Sequence, residues 1–173
     1  LVLAGYEQGY DRQGKPDEVL LNDAVALAKK DAVDVVLAVV GLDERSESEG
    51  LDRSTMAIPQ AQNDLVTALA KTGKPVVIVL VAGSPVELPW FNDVAAMLYV
   101  GLSGQAGASA TVRALTGEVN PSGHLAETWP MHYEDCPSSS WYPAIGRDAI
   151  YREGPFVGYR YYETAGVPVR FPF

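Results

Sequence analysis

The chain has 173 residues, 47 % of them hydrophobic and 20 % charged, a make-up that excludes wholesale disorder and suits one compact domain. Its net charge of -9 argues against a surface for nucleic acid or anionic membrane, both of which reward basic stripes. No apolar run approaches a membrane span, and a single cysteine, Cys136, leaves no partner for an internal disulfide.

Residues 1–4 read as a short strand. Leu1 is not an initiator Met and leads straight into it without a basic leader, so a processed or excised piece of a longer chain and a cytoplasmic location are expected, and the acidity suits a bacterial-type surface. From Asp17 to Lys30 the apolar residues Leu21, Ala24, Val25 and Ala28 recur at helical spacing. Asp17 and Glu18 open this segment and Lys29 and Lys30 close it, as the helix dipole favours. Residues 35–40 (VVLAVV) form a continuous β-branched run, which predicts a strand buried on both faces. After a polar loop from Gly41 to Thr55, Pro59 begins a helix that runs to about Thr72, with Ile58, Gln62, Leu65 and Leu69 on one face.

Residues 76–81 (VVIVLV) predict a second buried strand, and the Gly83–Ser84–Pro85 turn leads into a short helix around 86–91. A third strand over 95–100 and a small-residue loop, Gly101–Gly107, precede a helix over 108–117 with Ala108, Val112 and Leu115 inward. From Trp129 onward Pro, Tyr and Trp become frequent, and residues 158–163 (GYRYYE) read as an alternating strand in a hairpin. The fold class is therefore α/β: a three-layer sandwich with a mostly parallel, flavodoxin-like sheet flanked by helices. Residues 1–130 form its core and 131–173 an aromatic, proline-rich flap.

In such sheets the loops at the carboxyl ends of the strands carry the chemistry. Here these are Gly41–Thr55, Gly83–Pro85 and Gly101–Gly107. The last has Ser103 where a dinucleotide fingerprint needs glycine, and it follows the third strand, so close helix–sheet packing explains its small residues better than nucleotide binding. The loop from Asp43 to Arg53 is less ordinary, with five acids and two arginines after a buried strand. Gly50 permits close backbone approach, and Arg53 can hold Asp52 or a neighbour ionised while another glutamate keeps a proton for general acid work. Spacing does not choose among Glu44, Glu47 and Glu49. His124 and His132 lack acidic or thiol partners at ligand spacing, so no metal is expected.

The ordered set Glu49–Gly50–x–Asp52–Arg53, Ile58–Pro59–x–x–Gln62–x–x–Leu65 and Gly83–x–Pro85–Val86 resembles the C-terminal α/β-sandwich domain of glycoside hydrolase family 3. Gly104–Gln105, Asn120–Pro121–Ser122–Gly123–His124–Leu125 and Thr128–x–Pro130 continue it. Tyr151–x–Glu153–Gly154–x–x–Val157–Gly158–Tyr159–Arg160 and Phe171–Pro172–Phe173 complete it, so that the likeness spans most of the chain. It departs from the family at residues 102–107 and at His124, where Arg is common.

The resemblance implies a retaining, exo-acting β-glycosidase of β-glucosidase type, with its active site between this domain and a (β/α)₈ barrel. It implies an aspartate nucleophile on the barrel and a general acid/base at the position of Glu49; Glu47, Asp52 and Arg53, in the same loop, are the candidates for substrate-binding or site-shaping roles. It implies no cofactor. Set against the family pattern, the chain is expected to lack an earlier strand–helix unit of the domain, and so to be N-terminally truncated, inert alone, and prone to self-associate through an open strand edge. Its partners are then a β-glycoside and the absent barrel, since a barrel needs about 250 residues. The competing reading is a stand-alone flavodoxin-like binding or scaffold module, which leaves the co-occurrence of these segments unexplained.

Overall fold

The computed structural model describes residues 2–144, 146–148 and 150–173. Its centre is a parallel sheet of β1 (Val36–Gly41), β2 (Val76–Val81) and β3 (Ala96–Tyr99), in the order β1-β2-β3. Val36 faces Val76, Ala38 faces Ile78 and Val40 faces Leu80; on the other side of β2, Ile78 faces Met97 and Leu80 faces Tyr99. Because side chains alternate along a strand, these residues share one face. All of them belong to the main hydrophobic core.

Helices α1 (Glu18–Ala28) and α2 (Gln60–Ala70) cover that face. Asp17 starts α1 by accepting hydrogen bonds from the amides of Val19 and Leu20 at 3.0 and 3.1 Å, which satisfies two donors that the first turn leaves free. In α2, Leu65, Val66 and Leu69 are buried against the sheet as the spacing demands. Gln62, on the same face, meets the end of β1: its Oε1 accepts from Gly41 N at 2.7 Å and its Nε2 donates to Gly41 O at 3.0 Å. One buried amide thereby completes the backbone pairing where the acidic loop departs.

The opposite face of β1 is open. Leu37 and Val39 are 48 and 57 % exposed, so the strand is buried on one side rather than two. An apolar run shows that a face is sticky, not that its cover lies in the same segment. Helix α3 (Gly107–Leu115) buries only Gly107, and its Val112 faces solvent rather than the core.

Other expectations also change. Residues 2–4 form no strand, and Leu1 lies outside the described residues. The helix expected at 86–91 is a single 3₁₀ turn at Phe91–Asp93, because Pro89 supplies no amide hydrogen to a longer helix. Residues 158–163 are not a strand but the start of helix α4 (Tyr159–Ala165), which Gly166 ends in a left-handed conformation.

The chain after β3 returns to the core at Trp129. Strand β4 (Trp129–Pro130) pairs antiparallel with β5 (Val169–Phe171), so the last residues close back on the point where the aromatic segment begins. Trp129 is buried between Tyr99 and Phe171, edge-on to both, and its indole donates to Val86 O at 2.8 Å. This fixes residues 129–136 beside the loop after β2.

Candidate active site

All three strands are parallel, so the loops leaving their carboxyl ends lie at one edge. The acidic loop is built by local hydrogen bonds first. Asp43 folds the chain back on itself, its carbonyl accepting from Ser46 and Glu47 N at 3.0 and 2.9 Å and its carboxylate from Arg45 N at 3.1 Å. Ser48 and Leu51 then form an isolated antiparallel bridge, with Leu51 N donating to Ser48 O at 3.2 Å. Glu49 and Gly50 are the two residues of the tight turn between them. Gly50 has φ +75°, which a side-chain-bearing residue adopts reluctantly, so the glycine next to Glu49 is a requirement of the turn.

Tertiary partners separate the three glutamates that spacing left equivalent. Glu44 pairs with Arg12, whose Nη2 lies 3.1 Å from Oε1 and 3.2 Å from Oε2. Glu47 accepts a hydrogen bond from Gly83 N at 3.0 Å. Glu49 is exposed at the turn's tip and makes no side-chain hydrogen bond or ion pair among the described residues. One glutamate faces a distant arginine, one holds a backbone amide, and one is free.

Arg53 leaves the loop on the same side as Glu47. Its Nη1 donates to Ser84 Oγ at 2.7 Å and to Pro85 O at 3.3 Å, while Nη2 is buried without a partner. Burial lowers the guanidinium's pKa, and the charge of Glu47 works against that shift. Glu47 and Arg53 therefore grip successive residues of the loop after β2, before and after the Glu49 turn. A side chain at Gly83 would collide with Glu47 Oε1 at 2.2 Å and Leu102 Cδ1 at 2.9 Å, so the loop after β3 joins the same cluster.

Asp52, between the turn and Arg53, accepts a hydrogen bond from the hydroxyl of Tyr142, and this bond raises the phenol's pKa. A cleft of about 390 Å³ opens beside it, with Arg53, Ser84, Glu127, Thr128 and Tyr142 among its walls. Loss of water around the Glu127 carboxyl pushes its pKa up. Glu47, Asp52 and Arg53 all line this cleft; Glu49 does not, and projects from the turn instead. Tyr142 and Glu127 were not singled out in the sequence. Glu127 falls between the family-like segments that end at Leu125 and resume at Thr128, and Tyr142 carries no local signal beyond an aromatic-rich stretch. No group of three or more His, Cys, Asp or Glu converges as metal ligands would among the described residues.

Residues 10–159 match the model of the glycosyl hydrolase family 3 C-terminal domain. The chain is similar to the thermostable beta-glucosidase B of Acetivibrio thermocellus, 46 % identical over 97 % of this chain and 22 % of that protein. It is also similar to the exo-alpha-(1->6)-L-arabinopyranosidase of Bifidobacterium breve, 39 % identical over 99 % of this chain and 23 % of the relative. The solved family 3 beta-glucosidase of Bifidobacterium adolescentis superposes with a TM-score of 0.90 and 43 % identity over 95 % of this chain and 24 % of that one. The chain thus spans less than a quarter of the relatives named.

Proposed function

The chain belongs to glycosyl hydrolase family 3, as a C-terminal domain, and on that footing we propose that it supplies the general acid/base, Glu49, to a retaining β-glycosidase. The observation that carries this reading is the partnering of the acidic loop: Glu49 alone of its three glutamates is uncommitted, and it stands at the tip of a turn held at both ends. A carboxyl with no standing partner is free to turn to the glycosidic oxygen and to water in successive steps of the cycle. Glu47 and Arg53 act as the clamps that aim it, and Asp52 shapes the exit of the turn.

Retaining hydrolysis needs two carboxyl groups about 5 Å apart, one attacking the anomeric carbon and one protonating the leaving oxygen. Glu49 takes the second role. It donates a proton as the glycosidic bond breaks, then removes one from the water that attacks the covalent intermediate. The nucleophile and the walls of the sugar pocket come from the remainder of the enzyme. The relatives are named for more than one glycoside, a β-glucoside and an arabinopyranoside, so the sugar is set elsewhere than by membership of the family.

Azide rescue tests the assignment. In the full-length enzyme, Glu49→Ala removes the base for the second step, and azide, which needs no deprotonation, attacks the glycosyl-enzyme in place of water. Rate recovery with formation of a glycosyl azide of retained configuration is expected. No recovery, or an inverted azide, overturns the assignment.

A further inference from the structure

Glu47 and Arg53 both tie the acidic loop to the loop after β2. Among the described residues the hydrogen bond from Tyr142 to Asp52 has a different origin, joining the turn's exit to the segment after β4, 90 residues along the chain. That segment is itself anchored. Trp129 is buried in the core with its indole on Val86 O, and Tyr133 N donates to Glu87 Oε1 at 3.1 Å. The Tyr133 hydroxyl reaches Tyr142 O at 3.5 Å, and Trp141 N donates to Ser138 O at 2.8 Å. The phenol is thus presented by a structure rooted in the sheet's core, although Tyr142 itself is 48 % exposed.

Asp52 follows Leu51, the residue that closes the bridged turn, and it lies three positions from Glu49. A turn closed by one backbone hydrogen bond pivots about its ends. The clamps at Gly83 and at Ser84 and Pro85 hold the turn's two ends from one side, which leaves the pivot about them. A strap from the C-terminal segment removes that freedom. We infer that Tyr142 is a positioning residue for the reaction: through Asp52 it fixes the orientation of the turn that carries the proton donor. This rests on the reading of Glu49 as general acid/base, and it adds a residue in a part of the chain to which that reading gives no role.

A purely structural strap and a positioning strap differ in what they slow. If Tyr142 aims the acid, its loss hurts substrates that need protonation at the leaving oxygen and spares those that do not. The test is a series of aryl glycosides of one sugar, from poor to highly activated leaving groups, hydrolysed by the full-length enzyme and by its Tyr142→Phe, Asp52→Ala, double and Glu49→Gln variants. For Tyr142→Phe we expect kcat/KM to fall about 10-fold on the poorest leaving group and less than about 2-fold on the most activated, the scale of a displaced catalytic group. Asp52→Ala should give the same pattern, and the double variant no more than either single, since both remove one contact.

A loss equal for all leaving groups, additive losses in the double variant, or no loss at all overturns the role of Tyr142. The Glu49→Gln variant separates the two levels. If it shows leaving-group dependence while Tyr142→Phe does not, only the strap falls. If Glu49→Gln shows none, the acid assignment falls, and the strap with it.

Discussion

Glu47 Oε2 accepts a hydrogen bond from Gly83 N at 3.0 Å, and the same carboxylate occupies the space a side chain at residue 83 would need, its Oε1 lying 2.2 Å from an added Cβ. The absence of a side chain at Gly83 is therefore what lets the acidic loop lie on the loop after β2. Gly41 is in a harder position: an added Cβ meets Val81 O at 1.8 Å, and its φ is +146°. At 83 the obstacles are the ends of two side chains, which can move; at 41 the obstacle is the backbone of the adjacent strand.

Gly83→Ala is accordingly expected to cost only about 1 kcal/mol of folding stability, one hydrogen bond's worth, and to displace Glu47. Gly41→Ala should cost more than about 3 kcal/mol, as backbone collisions in a core do. In the full-length enzyme, Gly83→Ala should still reduce kcat/KM several-fold because a clamp on the Glu49 turn is lost. Denaturant melts of the two variants and their kinetics check the pair. Equal destabilisation would mean that the two glycines serve the same purpose.

The sheet and its covering helices were legible because their signals are local. VVLAVV and VVIVLV could not be anything but strands in a chain that alternates with helical periods, and Asp17 marked the start of α1. The GYRYYE segment misled because its residues read as an alternating strand, while Gly158 and Gly166, both at positive φ, bound the single short helix Tyr159–Ala165. The acidic loop could be located but not resolved. Choosing among Glu44, Glu47 and Glu49 depends on Arg12 and Gly83, which lie 32 and 36 residues away in sequence. Tyr142, 90 residues from Asp52, was further still beyond local signals. Pattern shows which residues want burial; it does not show which carboxylate has found a partner.

Glu127 gives a pH dependence with a definite sign. Its carboxyl loses water beside the cleft, so its pKa in the folded chain lies above that in the unfolded chain. Between those two values the folded state holds more protons, so stability falls as pH rises through the window that begins at the ordinary glutamate range. The residue is exposed at the rim of the cleft, which screens the effect and keeps it small. Glu127→Gln, which cannot ionise, should flatten this part of the curve and leave the variant slightly more stable than the parent at neutral pH. Thermal melts of both proteins from about pH 4 to 8 check it. A steeper decline in the variant would show that the carboxylate is stabilised by its surroundings.

The isolated chain is expected to hydrolyse no glycoside. With Glu49 as proton donor it offers one of the two carboxyl groups that retention requires, and the loop that carries it is open to water. Purified residues 1–173 and their Glu49→Gln variant should both leave an activated aryl β-glucoside intact at the rate of buffer alone. Turnover by the unaltered chain that Glu49→Gln abolishes would mean that a second carboxyl within these residues acts as nucleophile.

The geometry of β1 leads us to expect self-association of the isolated chain. Among the described residues the strand is an outer member of the sheet, paired with β2, and its far edge is capped only in part, by the Tyr10 hydroxyl on Val39 O at 3.3 Å and by the Gln62 amide on Gly41. Leu37 and Val39, both turned away from the core, add an apolar surface beside that edge. Together they offer a second copy both strand pairing and burial, which neither feature provides alone. Light scattering on the isolated chain should give a mass that rises with concentration. Val39→Lys places a charge on the exposed face without touching the core side of the strand, and it should return the chain to a monomer over the same range. A monomer at every concentration without the substitution would show that the edge is already protected, and an oligomer that Val39→Lys leaves intact would locate the contact elsewhere.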